Sequence, residues 1–584
     1  MLVTGGELLK ICLEREGVEY IFGMCGHSNI GAMDPLYNSS IRFISVRHEQ
    51  IAAHAADGYF RVSHKPGVLL LHNGPGMTNA LTGVGDAAAD CSAMVIIAGD
   101  VPSHHFGRDC FQEIGMHGDA SQYEIYKPLA KRAWRVNDLR LLPDVISRAF
   151  NVATSDCPGP VFISVPLDMW SKKIEVDLER LNSGERRPTG KRVRGDWSEI
   201  QKAGELLLQA HDPVIYVGGG GILSGASKEV LALAEYLGIP VATSIAGKGI
   251  IREDHILALG TTGRAGTRLA NDFCKKADVI LALGTRFSEQ DSSSWVPGFT
   301  FNIPPTKLIQ VDIVSREIGK IYPVEIGIVG DVKSVLEDLL VYIKSKVRKI
   351  EWESSEKVKV LNHLKEQWNK EITINQNSNA IPIKPERILK EVREALPEDG
   401  IIIGDVGWSK NGVSQQYTAY SPQTILMASG YGTMGFAAAA ILGAKLGAPE
   451  KVVVSLTGDG GFSSVLPALI TAVENNIPAV WIIFNNGCYS AIRMLQQRHY
   501  QGRLLGTEFV NAVTKEKYDI DWAKLAQVCG ARGRRVDRPE DLSDAVKEAI
   551  KSKTPYVLDV IVDPEATVPA TGFWDVHDIY EGKI

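Results

Sequence analysis

The sequence lacks any C-x-x-C pair. Its eight cysteines, Cys12, Cys25, Cys91, Cys110, Cys157, Cys274, Cys488 and Cys529, are scattered through 584 residues, which excludes paired-thiol zinc sites and argues against a disulfide framework. Thiols so dispersed fit a reducing cytoplasm. No segment supplies the roughly 18 uninterrupted apolar residues of a membrane helix. The start, MLVTGGELLKICLEREGVEYIFG, has neither the basic head nor the apolar middle of a secretory signal and predicts an amphipathic helix entering a strand. A basic excess is missing too: 63 Lys and Arg face 69 Asp and Glu, a net charge of -6, so nothing electrostatic invites nucleic acid. The expectation is a soluble cytoplasmic protein with neither membrane nor nucleic-acid partner.

What is present is ordinary globular composition, 45% hydrophobic and 23% charged, in a chain long enough for three or four domains of roughly 100 to 200 residues each. Short apolar runs that end in Gly or Asp recur: GVLLLHNGPG, AMVIIAGD, GPVFISVPLD, PVIYVGGGG, ADVILALGTR, IIIGDVG, KVVVSLTGDG and AVWIIFNNG. Ala- and Leu-rich helical stretches separate most of them, the pattern of repeated βα units with buried parallel strands. Ligands of such sheets bind at the carboxyl ends of the strands, where these glycines and acids sit. Two polar, charged stretches, Leu178 to Asp196 and Lys344 to Val360, read as solvated connectors. They divide the chain into αβα domains at 1–180, 195–345 and 380–565, with a tail at 566–584. The run VGGGGILSG from Val217 lacks the third glycine of a dinucleotide fingerprint and predicts a plain strand-to-helix turn.

The stretch from Ser455 to Ser490, SLTGDGGFSSVLPALITAVENNIPAVWIIFNNGCYS, is the most informative. Glycines at 458, 460 and 461 let the backbone turn sharply after a strand and turn N–H groups toward an anion. Asp459 among them would repel a phosphate directly, and makes chemical sense if Mg²⁺ lies between the two, since Mg²⁺ takes oxygen ligands from few side chains plus phosphate. Asn486 ends the next buried strand with a neutral amide oxygen, and the Cys488 carbonyl lies two residues on. Gly-Asp-Gly alone is commonly a turn, and Asn-Asn-Gly alone a bend. Jointly, each at a strand end, they resemble the thiamine diphosphate motif.

The resemblance extends along essentially the whole chain. RHEQIAAHAADGYFRVSHKPGVLLLHNGPGMTNALTGVGDA looks like the pyrimidine-binding domain of the acetolactate synthase family, and IIIGDVGWS with MASGYGTMGFAAAAILGAKLG looks like the segments preceding its diphosphate motif. It implies an α/β fold of three αβα domains with mostly parallel sheets: pyrimidine-binding, central and diphosphate-binding. It also implies thiamine diphosphate and Mg²⁺ as cofactors, with Asp459, Asn486 and the Cys488 carbonyl holding the metal. By the same match, Glu49 is the activating carboxylate, Gly432 offers its carbonyl to the aminopyrimidine, and Met434 props the bent cofactor. Val406, Gly407, Trp408 and Ser409, together with Gly458, Gly460 and Gly461, grip the diphosphate. Gln112 matches a family glutamine near the reacting carbon, and Lys131 a basic residue near it. The family builds its site between two subunits, which implies a homodimer or homotetramer. The implied reaction is decarboxylation of a 2-oxo acid followed by carboligation to an aldehyde or keto acceptor.

Several positions depart from that pattern. Leu495 stands where biosynthetic acetolactate synthases carry a tryptophan. GTRFSEQDSSSW lacks the paired aspartates that follow Arg286 and Phe287 in the flavin-associated stretch, which weighs against bound FAD. His72 falls where benzoylformate decarboxylase has a catalytic histidine, and His27 where relatives carry a small residue facing substrate. An imidazole with a pKa near 6.5 can protonate a carbanion or an acceptor carbonyl at neutral pH, so both are candidate catalytic residues. Simple 2-oxo acid decarboxylation, sulfoacetaldehyde acetyltransferase-like chemistry and aldehyde lysis therefore stand as alternatives, and a non-catalytic homologue as a further one. In the tail, Trp574 and His577 are candidates to close over the site, beside the plainer expectation of a docked structural segment.

Overall fold

A computed structural model describes residues 1–114, 121–177, 179 and 192–575. It contains three six-stranded sheets, each wholly parallel. Ahead of the first sheet, β1 (Leu2–Thr4) pairs antiparallel with β8 (Lys173–Glu175) and ties the amino terminus to the end of the first domain. The first sheet holds β2 (Tyr20–Gly23), β3 (Arg42–Ser45), β4 (Gly67–Leu71), β5 (Met94–Asp100), β6 (Arg132–Arg135) and β7 (Pro160–Pro166), in the order β3-β2-β4-β5-β7-β6. The third holds β15 (Ile401–Gly404), β16 (Ile425–Met427), β17 (Val453–Gly458), β18 (Val480–Asn485), β19 (Arg532–Val536) and β20 (Tyr556–Ile561), in the order β16-β15-β17-β18-β20-β19. Numbered within each sheet, the two orders are the same.

The central sheet differs. Its strands, β9 (Val214–Val217), β10 (Val241–Thr243), β11 (Ala258–Thr261), β12 (Val279–Leu283), β13 (Lys307–Asp312) and β14 (Ile326–Val329), run β11-β10-β9-β12-β13-β14, the 3-2-1-4-5-6 order of dinucleotide-binding folds. Its crevice, between β9 and β12, is closed by backbone: Gly218 N donates to Leu283 O at 2.9 Å and Gly220 N to Gly284 O at 3.0 Å. Gly219–Leu223 is a one-turn helix after β9.

Strands β4, β5 and β7 are buried along their whole length, as parallel strands covered on both faces must be. The outer domains meet through two helices rich in small residues, Glu49–Ser63 and Phe436–Gly447. A Cβ on Gly58 would come within 2.2 Å of Ala440 O, and one on Gly443 within 1.6 Å of Ala55 O, so glycine is required at both crossing points. The alanines around them, 438 to 440 and 52, 53, 55 and 56 among them, form one continuous core across the two domains.

Three sequence expectations are corrected or refined. Cys91 and Cys157 form a disulfide with Cα atoms 5.9 Å apart, across a sequence separation of 66. The scattered spacing hid the pair because the fold, not the sequence, brings the two loops together. Lys131 donates to Ser155 O at 2.6 Å and Cys157 O at 2.9 Å. It precedes β6, at the amino end of the sheet, away from the carboxyl ends. The connector after Lys344 is fastened rather than free: Trp352 is buried in the central core, with Nε1 donating to Glu235 O at 2.7 Å. No helix among the described residues is long and apolar enough to cross a membrane.

Candidate active site

In both outer sheets the strand order reverses once beside the first strand, between β2 and β4 and between β15 and β17. Open α/β sheets bind ligands at such points, beyond the carboxyl ends. The sequence-predicted residues fall into two groups, one at each.

At the first, Glu49 opens the helix Glu49–Ser63 and is only 2% exposed. Asn79 Nδ2 donates to its Oε2 at 3.0 Å. His72 leaves β4 beside it, and His72 Nε2 lies 3.0 Å from His27 Nδ1, His27 having come from the loop after β2. Burial holds His72 below the usual imidazole range, with His27 adding to the effect and the Asn73 backbone opposing it. The ring of Phe111, itself exposed, stacks on His27 at 5.9 Å between centroids. Gln112 sits at φ 63°. Its carbonyl accepts from Asn73 Nδ2 at 3.3 Å, and its buried Oε1 has no hydrogen-bond partner. Gly74, at φ 59°, must be glycine, because a Cβ there would reach Gln112 O at 2.2 Å. Glu49, His72, His27 and Gln112 thus form one neighbourhood.

At the second, Asp459 follows β17 and is 3% exposed. Its Oδ1 accepts from Gly460 N at 2.9 Å and its Oδ2 from Gly487 N at 2.7 Å, so the loops after β17 and β18 are joined by this carboxylate. Burial raises it to about 6, against the pull of those two N–H groups. The two asparagines divide their work. Asn485, buried, donates to Asp559 Oδ1 at 2.9 Å inside the domain, whereas Asn486 is part-exposed and its Oδ1 accepts from Cys488 N at 3.2 Å. The Cys488 thiol is pushed up to about 11 by burial, with Asp459 adding to it.

Val406, Gly407, Trp408 and Ser409 follow β15 and start the helix Trp408–Gln416. Trp408 folds back over Gly412 and toward Phe484, and Ser409 Oγ donates to Asp405 O at 3.0 Å. Both side chains are turned into protein, leaving backbone groups to face outward. Gly432 and Met434 lie on the loop before the helix Phe436–Gly447, where Met434 is 36% exposed. A Cβ at Gly407, Gly432 or Gly458 would meet no protein atom within 4 Å, so three loops present open glycines to one region.

One residue unites these loops. Asp405, fully buried, accepts from Val406 N at 2.8 Å, from Gly435 N at 3.1 and 3.0 Å, and from Thr457 Oγ1 at 2.7 Å. Its carboxyl is raised by burial to about 6. The acid in IIIGDVG sits at a strand end as Asp459 does, a signal that could have marked it.

Three family models match, one within each of these three domains: "Thiamine pyrophosphate enzyme, N-terminal TPP binding domain" over residues 3–122, "central domain" over 200–339, and "C-terminal TPP binding domain" over 405–560. A probable acetolactate synthase large subunit of Methanocaldococcus jannaschii is 36% identical over 97% of this chain and 93% of its own length. The acetolactate synthase large subunits of Haemophilus influenzae and Corynebacterium glutamicum are 33% and 34% identical over 96% and 97% of this chain, and over 95% and 88% of their own lengths. The chain belongs to the thiamine pyrophosphate enzyme family. Within that family it is of the acetolactate synthase type.

Among the described residues, no hydrogen bond or ion pair joins Glu49, His27, His72 or Gln112 to the loops at 405–409, 429–435 or 458–461. The tail docks on the central domain: Thr571 N donates to Arg264 O at 3.1 Å, Phe573 N to Ser293 Oγ at 2.9 Å and Trp574 Nε1 to Glu289 Oε1 at 3.1 Å. His577 lies outside the described residues. Arg286 Nη2 donates to Ala89 O at 2.5 Å, and Phe287 is buried among Tyr216, Phe301 and Tyr322.

Proposed function

We propose that this enzyme removes CO2 from a 2-oxo acid with thiamine diphosphate and Mg²⁺ and joins the remaining acyl carbon to an aldehyde or keto acceptor, as its acetolactate synthase relatives are named for doing. The observation that carries the reading is the buried Asp459 carboxylate at the β17 end, linked to the loop bearing Asn486, beside three open glycines. Among the described residues no three His, Cys, Asp or Glu side chains gather as a metal cluster. A cation here would therefore use one carboxylate, the Asn486 amide oxygen and the Cys488 carbonyl, a donor set suited to Mg²⁺ completed by phosphate. The loops Val406 to Ser409 and Gly458 to Gly461 would hold the diphosphate, through backbone N–H groups other than those of Val406 and Gly460, which Asp405 and Asp459 already take, with Gly432 and Met434 at the pyrimidine.

The bound cofactor supplies the nucleophilic carbon and the electron sink. Glu49, 2% exposed and oriented by Asn79, would share a proton with the pyrimidine nitrogen, and the dry surroundings would strengthen that bond. Gln112, whose buried Oε1 has no partner, would meet the substrate. The His27–His72 pair would supply protons to the reacting carbon or the acceptor oxygen, and its presence favours a second reading, in which protonation and release of an aldehyde compete with carboligation. Glu49 and Asp459 belong to different domains, and following the family resemblance we assign the complete site to two subunits, with an isologous dimer as the smallest active unit. Flavin has no part in this reading.

The test is calorimetric titration with thiamine diphosphate and Mg²⁺, then incubation with a panel of 2-oxo acids with and without acceptors. Absence of binding defeats the reading; CO2 release with free aldehyde alone replaces carboligation by simple decarboxylation.

A further inference from the structure

The loop 428–435, between β16 and the helix Phe436–Gly447, carries both Gly432 and Met434, and it is suspended between two carboxylates. Asp405 holds its far end at Gly435 N. Its near end is held from another domain. Asp90, which ends the helix Pro75–Ala89, accepts from Ser429 N at 3.0 Å, from Ser429 Oγ at 2.8 Å and from Gly430 N at 2.8 Å. Its side chain is 5% exposed.

Behind Asp90 stands Arg61. Its Nη2 donates to Asp90 Oδ2 at 3.1 Å, its Nε and Nη2 to the two Asp57 oxygens at 2.7 and 2.9 Å, and its Nη1 to Met427 O at 2.7 Å. The guanidinium also lies 4.7 Å from the centre of the Phe436 ring. Asp57 is in turn fixed by Ser92 Oγ at 2.5 Å. One arginine of the first domain therefore touches the residue before the loop, the acid that grips it and the residue after it. Four hydrogen bonds fill the acceptor capacity of the Asp90 carboxylate, so its role is to fix protein geometry rather than to bind a ligand.

We propose that Asp90, braced by Arg61, is a positioning residue that sets the 428–435 loop for the cofactor's pyrimidine, so that the first domain shapes a cofactor loop of the third domain in the same chain. This deepens the reading given above and rests on it. The helix Glu49–Ser63 thereby serves two ends: Glu49 at its start faces the first group of site residues, while Asp57 and Arg61 at its finish brace the loop of the second.

The experiment is hydrogen–deuterium exchange on the cofactor-free full chain, alongside titration with thiamine diphosphate and Mg²⁺, for Asp90→Asn. Loss of hydrogen bonds to a charged acceptor should speed exchange in 428–435 by about ten- to a hundredfold and weaken thiamine diphosphate by a similar factor. Peptides of β17 and β18 should exchange as in the wild type. Ser429→Ala, which removes only the hydroxyl donor, should raise exchange in the same peptide by a few fold, about one neutral hydrogen bond's worth. It decides the matter if Asp90→Asn does not fold. Unchanged exchange in 428–435, or a rise spread evenly over all three sheets, overturns the proposal. Failure of the wild type to bind thiamine diphosphate would instead defeat the functional reading, because the exchange measurement needs no cofactor.

Discussion

His27 Nδ1 and His72 Nε2 lie 3.0 Å apart although 45 residues separate them in the chain. At that distance one ring nitrogen donates and the other accepts, so the pair shares a proton between two strand-end loops. Burial and the His27 charge both press His72 toward its neutral form, so that once protonated it is quick to give the proton up. His72→Ala should therefore lower turnover by about a hundredfold or more, the usual contribution of a general acid or base, and change the ratio of ligated product to free aldehyde. Full turnover with an unchanged product ratio would remove His72 from the mechanism.

The same shift has a sign that pH can read. His72 is depressed in the folded state, so as pH falls below the ordinary imidazole value of about 6.5 the unfolded chain takes up a proton first, and the stability present above that pH is lost. His27→Ala removes one of the influences lowering His72. The acidic limb of kcat against pH should move upward in that variant, and a limb that stays in place or moves downward would contradict the assignment.

Asp459 is 3% exposed and raised by burial, so the apo protein bears a cost for keeping a carboxylate there. Asp459→Asn removes that cost together with the cation's one anionic side chain. Affinity for thiamine diphosphate with Mg²⁺ should fall by about a hundredfold or more, the two or three kcal/mol of a charged contact, while the melting temperature of the cofactor-free protein holds or rises. Equal affinity in wild type and variant, measured calorimetrically, would show that no metal is held at this carboxylate.

Much of this arrangement could be read from the chain. Asp459 and His72 end apolar runs, and a run followed by Gly, Asp or Asn reports a strand end wherever the fold is a parallel sheet. What stayed hidden depends on partners far away in sequence. Asp90 looks like any residue at a helix end until Ser429 arrives, 339 positions later. Lys131 matches a basic site residue in the family resemblance, yet it caps carbonyls at Ser155 and Cys157. The Cys91–Cys157 bond joins loops 66 residues apart. Asp405 is the instructive omission: its own stretch was visible, but its ties to Gly435 and Thr457 come only from strand order. Periodicity reports elements and their ends, whereas buried polar networks are decided by which ends the topology makes neighbours.

The assignment of Glu49 and Asp459 to different subunits yields the sharpest test of assembly. Glu49→Gln should lose turnover by about a hundredfold or more while still binding cofactor, because its proton-sharing role differs from diphosphate binding. Asp459→Asn should be inactive for want of cofactor. If each site takes Glu49 from one subunit and Asp459 from the other, a mixed dimer of the two variants contains one site with both changes and one wholly native site. Random exchange makes about half the dimers mixed, so the mixture of two inactive proteins should recover about a quarter of wild-type activity in an isologous dimer. Native mass spectrometry would verify that subunits had exchanged. Exchange without recovered activity would place Glu49 and Asp459 in the same chain's site, and the dimer would then have no part in completing it.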